Sequence, residues 1–99
     1  MSLKEKFFYD LKVSLKSGDK LKVSVIRLVM AALKNKEIEK RRSLSEEEII
    51  EILVSLSKQR KESIESFKRG GREDLVDKET SELKIIESYL PQQLTPEEI

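Results

Sequence analysis

A serine three residues ahead of a lysine, the spacing at which one class of acyl-transfer enzymes activates its nucleophile, occurs three times: Ser17 with Lys20, Ser55 with Lys58, and Ser81 with Lys84. Twelve serines and fourteen lysines among 99 residues give about two such pairs by chance, so the spacing alone carries no chemistry. The longest acidic run, Glu46 to Glu48, follows Ser45 at the start of an apolar-periodic stretch, where carboxylates favour a helix N-terminus. Metal sites in helical bundles instead draw carboxylates from facing helices together with histidine. Histidine and cysteine are both absent, which removes imidazole bases, thiolate nucleophiles, disulfides and the usual zinc ligand sets. The sequence predicts no catalytic residue, no metal and no cofactor.

Cations are the remaining candidates. KNKEIEKRR at 34–42 has a balance of +3, and KQRKESIESFKRGGR at 58–72 has a balance of +4. These stretches supply Lys34, Lys36, Lys40, Arg41 and Arg42, then Lys58, Arg60, Lys61, Lys68, Arg69 and Arg72, as residues that could neutralise phosphates. Gly70 and Gly71 would let a nucleic-acid strand come close to the backbone. The competing reading is a solvated helix face laced with i,i+4 ion pairs, for example Lys36 and Lys40 against Glu37 and Glu39. Only five aromatic residues are present, most at helical core positions, so any RNA contact is expected to be with backbone and shape and not through stacking.

The elements that must position these groups are helical. With 39% charged residues, three glycines and two prolines, the chain is rich in helix formers and poor in turns. A first helix is expected over about 2–17, opened by a Ser2/Glu5 capping box, with Leu3, Phe7, Leu11 and Leu15 on one stripe and Gly18 as its stop. A second spans about 19–42, with Leu21, Val25, Leu28 and Ala32 flanked by Ile26, Val29 and Leu33. The third runs over about 45–69 from a Ser45/Glu48 box, and the fourth over about 72–90, ended by Pro91. The second and third, each roughly 36 Å long at ~1.5 Å per residue and joined by a short link, should form a long antiparallel hairpin whose core includes Ile26, Val29, Leu53 and Leu56. The expected fold is all-α, a four-helix domain over 1–94. At 95–99, Thr95, Pro96 and Glu98 write out the entrance to a fifth helix.

Net charge is +1, but residues 1–44 carry twelve cations against five anions, a balance of +7, and residues 45–99 carry eight against fourteen, a balance of −6. The longest apolar run is LVMAAL at 28–33, so no membrane segment is expected, and the setting is read as cytoplasmic.

VIRLVMAALKNKEIEK at 25–40, LSKQRKESIESFKRGGREDLVDKE at 56–79 and ELKIIESYLPQQLTPEEI at 82–99 closely resemble the YqeY-like proteins of the GatB/YqeY family, with the string from Gly71 through ESYLPQQL the most specific part. The resemblance implies a helical N-terminal domain followed by a smaller helical domain similar to the tail of the GatB component of the tRNA-dependent amidotransferases, a region that helps hold tRNA. It implies a tRNA-associated accessory module and not an enzyme, with tRNA and an amidotransferase or other tRNA-related protein as partners. The alternatives are a protein-interaction helical domain that binds no nucleic acid, or an amidotransferase-associated (carbon-nitrogen ligase) factor, a label that would be inherited from the family. Because the match stops where the tail-like domain should begin, the 99 residues are expected to be a fragment that ends on the first turn of that next domain.

Overall fold

A computed structural model describes residues 2–91; the expected fifth-helix entrance at 95–99 lies outside them. The described chain is the expected all-α domain of four helices: α1 (Leu3–Ser17), α2 (Lys20–Lys40), α3 (Glu46–Arg69) and α4 (Glu73–Glu87). Their entrances follow local chemistry. The Ser2 hydroxyl accepts from the Glu5 N–H at 3.2 Å while the Ser2 N–H donates to the Glu5 carboxylate at 3.0 Å, and Ser45 with Glu48 repeats this at α3. Asp19 caps α2 through the Lys22 N–H, one residue after Gly18 turns the chain at φ 78°.

Packing joins the helices into two pairs, with α3 most extensively on α4 and α1 on α2; α2 then contacts both α3 and α4. Each helix contributes to a single core in which Phe7, Ile26, Val29, Leu53 and Ile86 are at most 1% exposed. The expected core residues Ile26, Val29 and Leu53 are therefore central, and Leu56 packs at the edge.

Two apolar positions fall elsewhere than expected. Leu15 is 52% exposed, and Ser14 is buried in its place. Steps of four residues advance 400° around a helix of ~100° per residue, so each step drifts ~40° and Leu15 ends ~80° from Phe7; Ser14, seven residues on, returns to within ~20°. Leu28 is 41% exposed for a different reason: it lies on the flank of α2, whose buried stripe centres on Ile26, Val29 and Leu33.

Two helix ends are also shorter than expected. α2 stops at Lys40 because Arg41 adopts φ 59°, and the Arg42 N–H closes the end onto the Glu37 carbonyl at 3.2 Å. α4 stops at Glu87, after which the Tyr89 and Leu90 N–H groups bond three residues back, to Ile86 and Glu87. That tighter winding sets the Tyr89 ring against Phe7, edge to face at 4.7 Å, and its hydroxyl donates to Asp10 at 2.6 Å. Burial first, and the Asp10 carboxylate second, push the Tyr89 phenol well above its usual range, so it stays a donor.

Val29→Asp or Leu53→Asp should each destabilise the domain by roughly 4 kcal/mol by leaving a charge unpaired in the core, a fall of about 20 °C in thermal midpoint. Arg41→Gly should act in the opposite direction, raising stability by about 1 kcal/mol by relieving the left-handed conformation of a residue with a Cβ. Urea titration followed by circular dichroism reads both.

Candidate macromolecular interface on the first helical pair

The eleven cations singled out in the sequence do not form one surface. Six of them are spent inside the fold. Arg42 makes a forked contact with Glu48, both bonds 2.8 Å, and Lys40 reaches the same carboxylate at 2.8 Å. Arg60 lies between α3 and α4 with its Nε 3.2 Å from Glu79 and 3.3 Å from Glu82; the N–H aligns with neither carboxylate, so the attraction is Coulombic. Lys36 pairs with Glu39 at 3.5 Å, Lys61 with Glu87 at 3.6 Å, and Arg72 with Asp74 at 3.2 Å. The remaining five, Lys34, Arg41, Lys58, Lys68 and Arg69, have no carboxylate within 4 Å among the described residues. Lys34 and Arg41 belong to the end of α2 and Lys68 and Arg69 to the far end of α3, so they sit at two separate ends.

The pairing also differs in kind from the expected lacing along single helices. Lys4–Glu37, Lys40–Glu48, Arg60–Glu79 and Lys61–Glu87 all tie one helix to another. The glutamate run does more than complement a helix end: Glu46 accepts from the first N–H of α1, at Leu3, while Glu48 holds its own cap, Arg42 and Lys40 together. Arg42 first, then Lys40 and the Ser45 N–H, hold the Glu48 carboxyl far below the usual carboxylate range. Lys4 lowers Glu37 and Arg72 lowers Asp74 in the same way. Glu82 moves the other way, raised by its burial and then by Glu79.

Among the serines of the Ser-x-x-Lys spacings, Ser17 donates its hydroxyl to the Ser14 carbonyl at 3.2 Å, and Ser55 and Ser81 are exposed. No cluster of three acidic or other ligating side chains gathers among the described residues, and none of their helices is long and apolar enough to cross a membrane.

The α1–α2 pair carries more of the cations left without an ion pair than α3 and α4 do, although Lys58, Lys68, Arg69, Lys78 and Lys84 on those helices are also unpaired among the described residues. Lys12, Lys16, Lys20, Lys22, Arg27 and Lys34 lie on α1 and α2 without an ion pair among the described residues. All but Lys34 fall outside the two clusters read from the sequence, although the +7 balance of residues 1–44 was their signal. Among the described residues, the same pair carries six of the seven exposed large apolar side chains, including Phe8 at 54% and Leu15 at 52%. Two clefts open between α1 and α2. One of about 400 Å³ is lined by Phe8, Met30, Ala31, Leu33 and Lys34 with the Lys4–Glu37 pair; the other, of about 510 Å³, is lined by Ser14, Leu15, Gly18, Lys20, Val23, Ser24 and Arg27. The arrangement can bind an anionic surface, and it offers apolar contact at the same place.

Residues 4–99 match the family described as Yqey-like protein. Among curated proteins, the chain is 43% identical over 81 residues to altered inheritance of mitochondria protein 41, mitochondrial, of Kluyveromyces lactis, covering 81% of this chain and 44% of that protein. The proteins of the same name in Eremothecium gossypii and Saccharomyces cerevisiae are each 40% identical, over 82 and 84 residues, covering 82% and 84% of this chain and 45% of each relative. The chain thus spans less than half the length of these relatives. All three are named as mitochondrial, which overturns the cytoplasmic reading; the absence of a long apolar segment, on which that reading rested, does not distinguish the two compartments.

The Glu48 junction yields a pH signature. Its folded-state pKa lies below the unfolded value of about 4.3, so its stabilisation is complete above that value and is lost as pH falls through the folded pKa. Glu48→Gln should therefore melt below wild type at pH 7, and the gap between the two proteins should close progressively below about pH 4. Melting curves from pH 7 down to pH 2.5 measure it; a gap that is constant with pH contradicts the assignment.

Proposed function

The chain belongs to the YqeY-like family, and on that premise we propose that it is a non-catalytic accessory domain that binds an anionic macromolecule through the α1–α2 pair. The carrying observation is the segregation of charge by the fold: Lys12, Lys16, Lys20, Lys22, Arg27 and Lys34 stay unpaired on these two helices. Lys20, Arg27 and Lys34, seven residues apart, share one face of α2, and several unpaired cations so placed raise the local concentration of an anionic partner and speed its encounter. Nothing about this face requires a reacting group, which fits a chain with no histidine and no cysteine.

The family resemblance names tRNA, or the acidic face of a tRNA-handling protein such as an amidotransferase, as the anion. Arg41, Lys68 and Arg69 are exposed and would add phosphate contacts beyond the α1–α2 face where the anion is RNA. The mitochondrial names of the relatives support a mitochondrial setting.

Filter binding of tRNA and of polyglutamate at 50 and 200 mM salt tests the proposal. Wild-type protein should bind at the lower salt and lose affinity steeply at the higher, with a slope equivalent to roughly three to five neutralised phosphates. Lys20→Glu with Arg27→Glu should flatten that slope, and Lys68→Glu with Arg69→Glu should change it less. Retention of neither polyanion at 50 mM salt would refute the reading.

A further inference from the structure

The two clefts between α1 and α2 share part of their lining at an offset of seven residues; the first is also lined by Ser14 and Gly18, and the second by Leu33 and the Lys4–Glu37 pair. Lys20, Arg27 and Lys34 form one row along α2, Val23 and Met30 a second, and Ser24 and Ala31 a third, each at i,i+7 spacing. Opposite them, Leu15 faces the first cleft and Phe8 the second, again seven residues apart. Seven residues of helix span ~10.5 Å and return to nearly the same face, so both clefts open on one side of the pair. Each repeat therefore presents an apolar residue from α1, an apolar and a small residue from α2, and a cation at the rim.

This pattern is the complement of one kind of partner. The geometry points to an acidic amphipathic helix from a protein partner as the occupant, lying along α1–α2 with apolar residues at i and i+7 seated in the two clefts and carboxylates on Lys20, Arg27 and Lys34. The inference rests on the anion-binding reading above and narrows it. Spacing decides for a helix: two turns of a partner helix repeat at the same ~10.5 Å, which is how helix-in-groove recognition sets its anchors. Ser24 and Ala31 have short side chains, which lets a partner backbone come close between the anchors. A phosphate backbone would satisfy the cations but place nothing apolar over Phe8 and Leu15, each half exposed. A second copy of this chain fits less well: α3 and α4 expose one large apolar residue among the described residues, Val54, and the face that does carry an i,i+7 pair, Phe8 with Leu15, would bring Lys20, Arg27 and Lys34 against a second set of the same cations.

The test is fluorescence anisotropy with a labelled 21-residue glutamate-rich peptide carrying leucines at i, i+4, i+7 and i+11, against a scrambled peptide of the same composition, in 100 mM salt. The ordered peptide should bind roughly tenfold or more tightly than the scrambled one, a difference only apolar register can supply. Leu15→Ser and Phe8→Ser, both at half-exposed positions that leave the core intact by circular dichroism, should each erase most of that difference, while polyglutamate, which brings no apolar anchor, is still bound and still released by salt. Arg27→Glu should weaken both peptides alike. Equal affinity for ordered and scrambled peptides, with tRNA and polyglutamate still bound, overturns the helix-docking inference and leaves the anion-binding reading standing. Failure to bind any of the four overturns both.

Discussion

Tyr89 fastens the last turn of the described chain to the first helix. Its hydroxyl reaches Asp10 across 79 positions of sequence, and its ring meets Phe7, itself 1% exposed, while Lys6 lies 5.6 Å above the ring. The α1–α2 and α3–α4 pairs are otherwise joined by the packing of α2 on α3 and α4 and by the salt-linked junction at Glu46 and Glu48. A charged acceptor makes this the stronger sort of hydrogen bond, and a buried edge-to-face pair adds to the area it covers. With the tyrosine in place, α1 is held at two points: by Glu46 and Lys4–Glu37 at its start and by Tyr89 midway along. The side of α1 that carries Phe7 is thereby committed to the core, and the flank carrying Phe8 and Leu15 is left outward.

Charge follows from the same arrangement. Bringing α3 onto α4 sets Arg60 between two carboxylates, and burial first, then Glu79, raises Glu82 above its usual range. The junction between α2 and α3 consumes Lys40 and Arg42 on a single glutamate. Acidic residues are concentrated in the second half of the sequence, and the cations that fold against them are those at the end of α2 and along α3. Cations in the body of α1 and α2 have few acids within reach, so the positive potential of the molecule is left on that pair. Its usefulness depends on being unpaired, since a surface pair with a neighbouring carboxylate gains little and removes the charge from play.

Much of the fold could be read from local chemistry. Ser2, Asp19 and Ser45 as caps and Gly18 as a stop depend on residues a few positions apart, and the starts of all four helices follow to within one residue. Helix ends were less legible. Arg41 terminates α2 in a conformation that glycine usually supplies, and the chain winds tighter after Glu87, where Tyr89 meets a partner 79 positions away that no local pattern announces. The candidate interface was legible as a charge balance and illegible as a place. Which cations stay free depends on contacts such as Arg60 with Glu79 and Lys61 with Glu87, nineteen and twenty-six residues apart, that no helical period announces. The sevenfold row of Lys20, Arg27 and Lys34 stood in the sequence throughout, but assigning Leu15 to the core stripe hid the cleft it borders.

The claim that function resides on the α1–α2 face is tested most directly by where a bound anion is felt. Nitrogen-15 labelled protein titrated with the acidic amphipathic peptide, and separately with tRNA, would be followed by backbone amide shifts. The account predicts that the largest changes in both titrations fall on Phe8, Leu15, Ser24, Arg27, Ala31 and Lys34, with the peptide shifting the residues of both clefts in parallel. Changes centred on Lys68, Arg69 and the α3–α4 turn, with the α1–α2 amides unmoved, would contradict it.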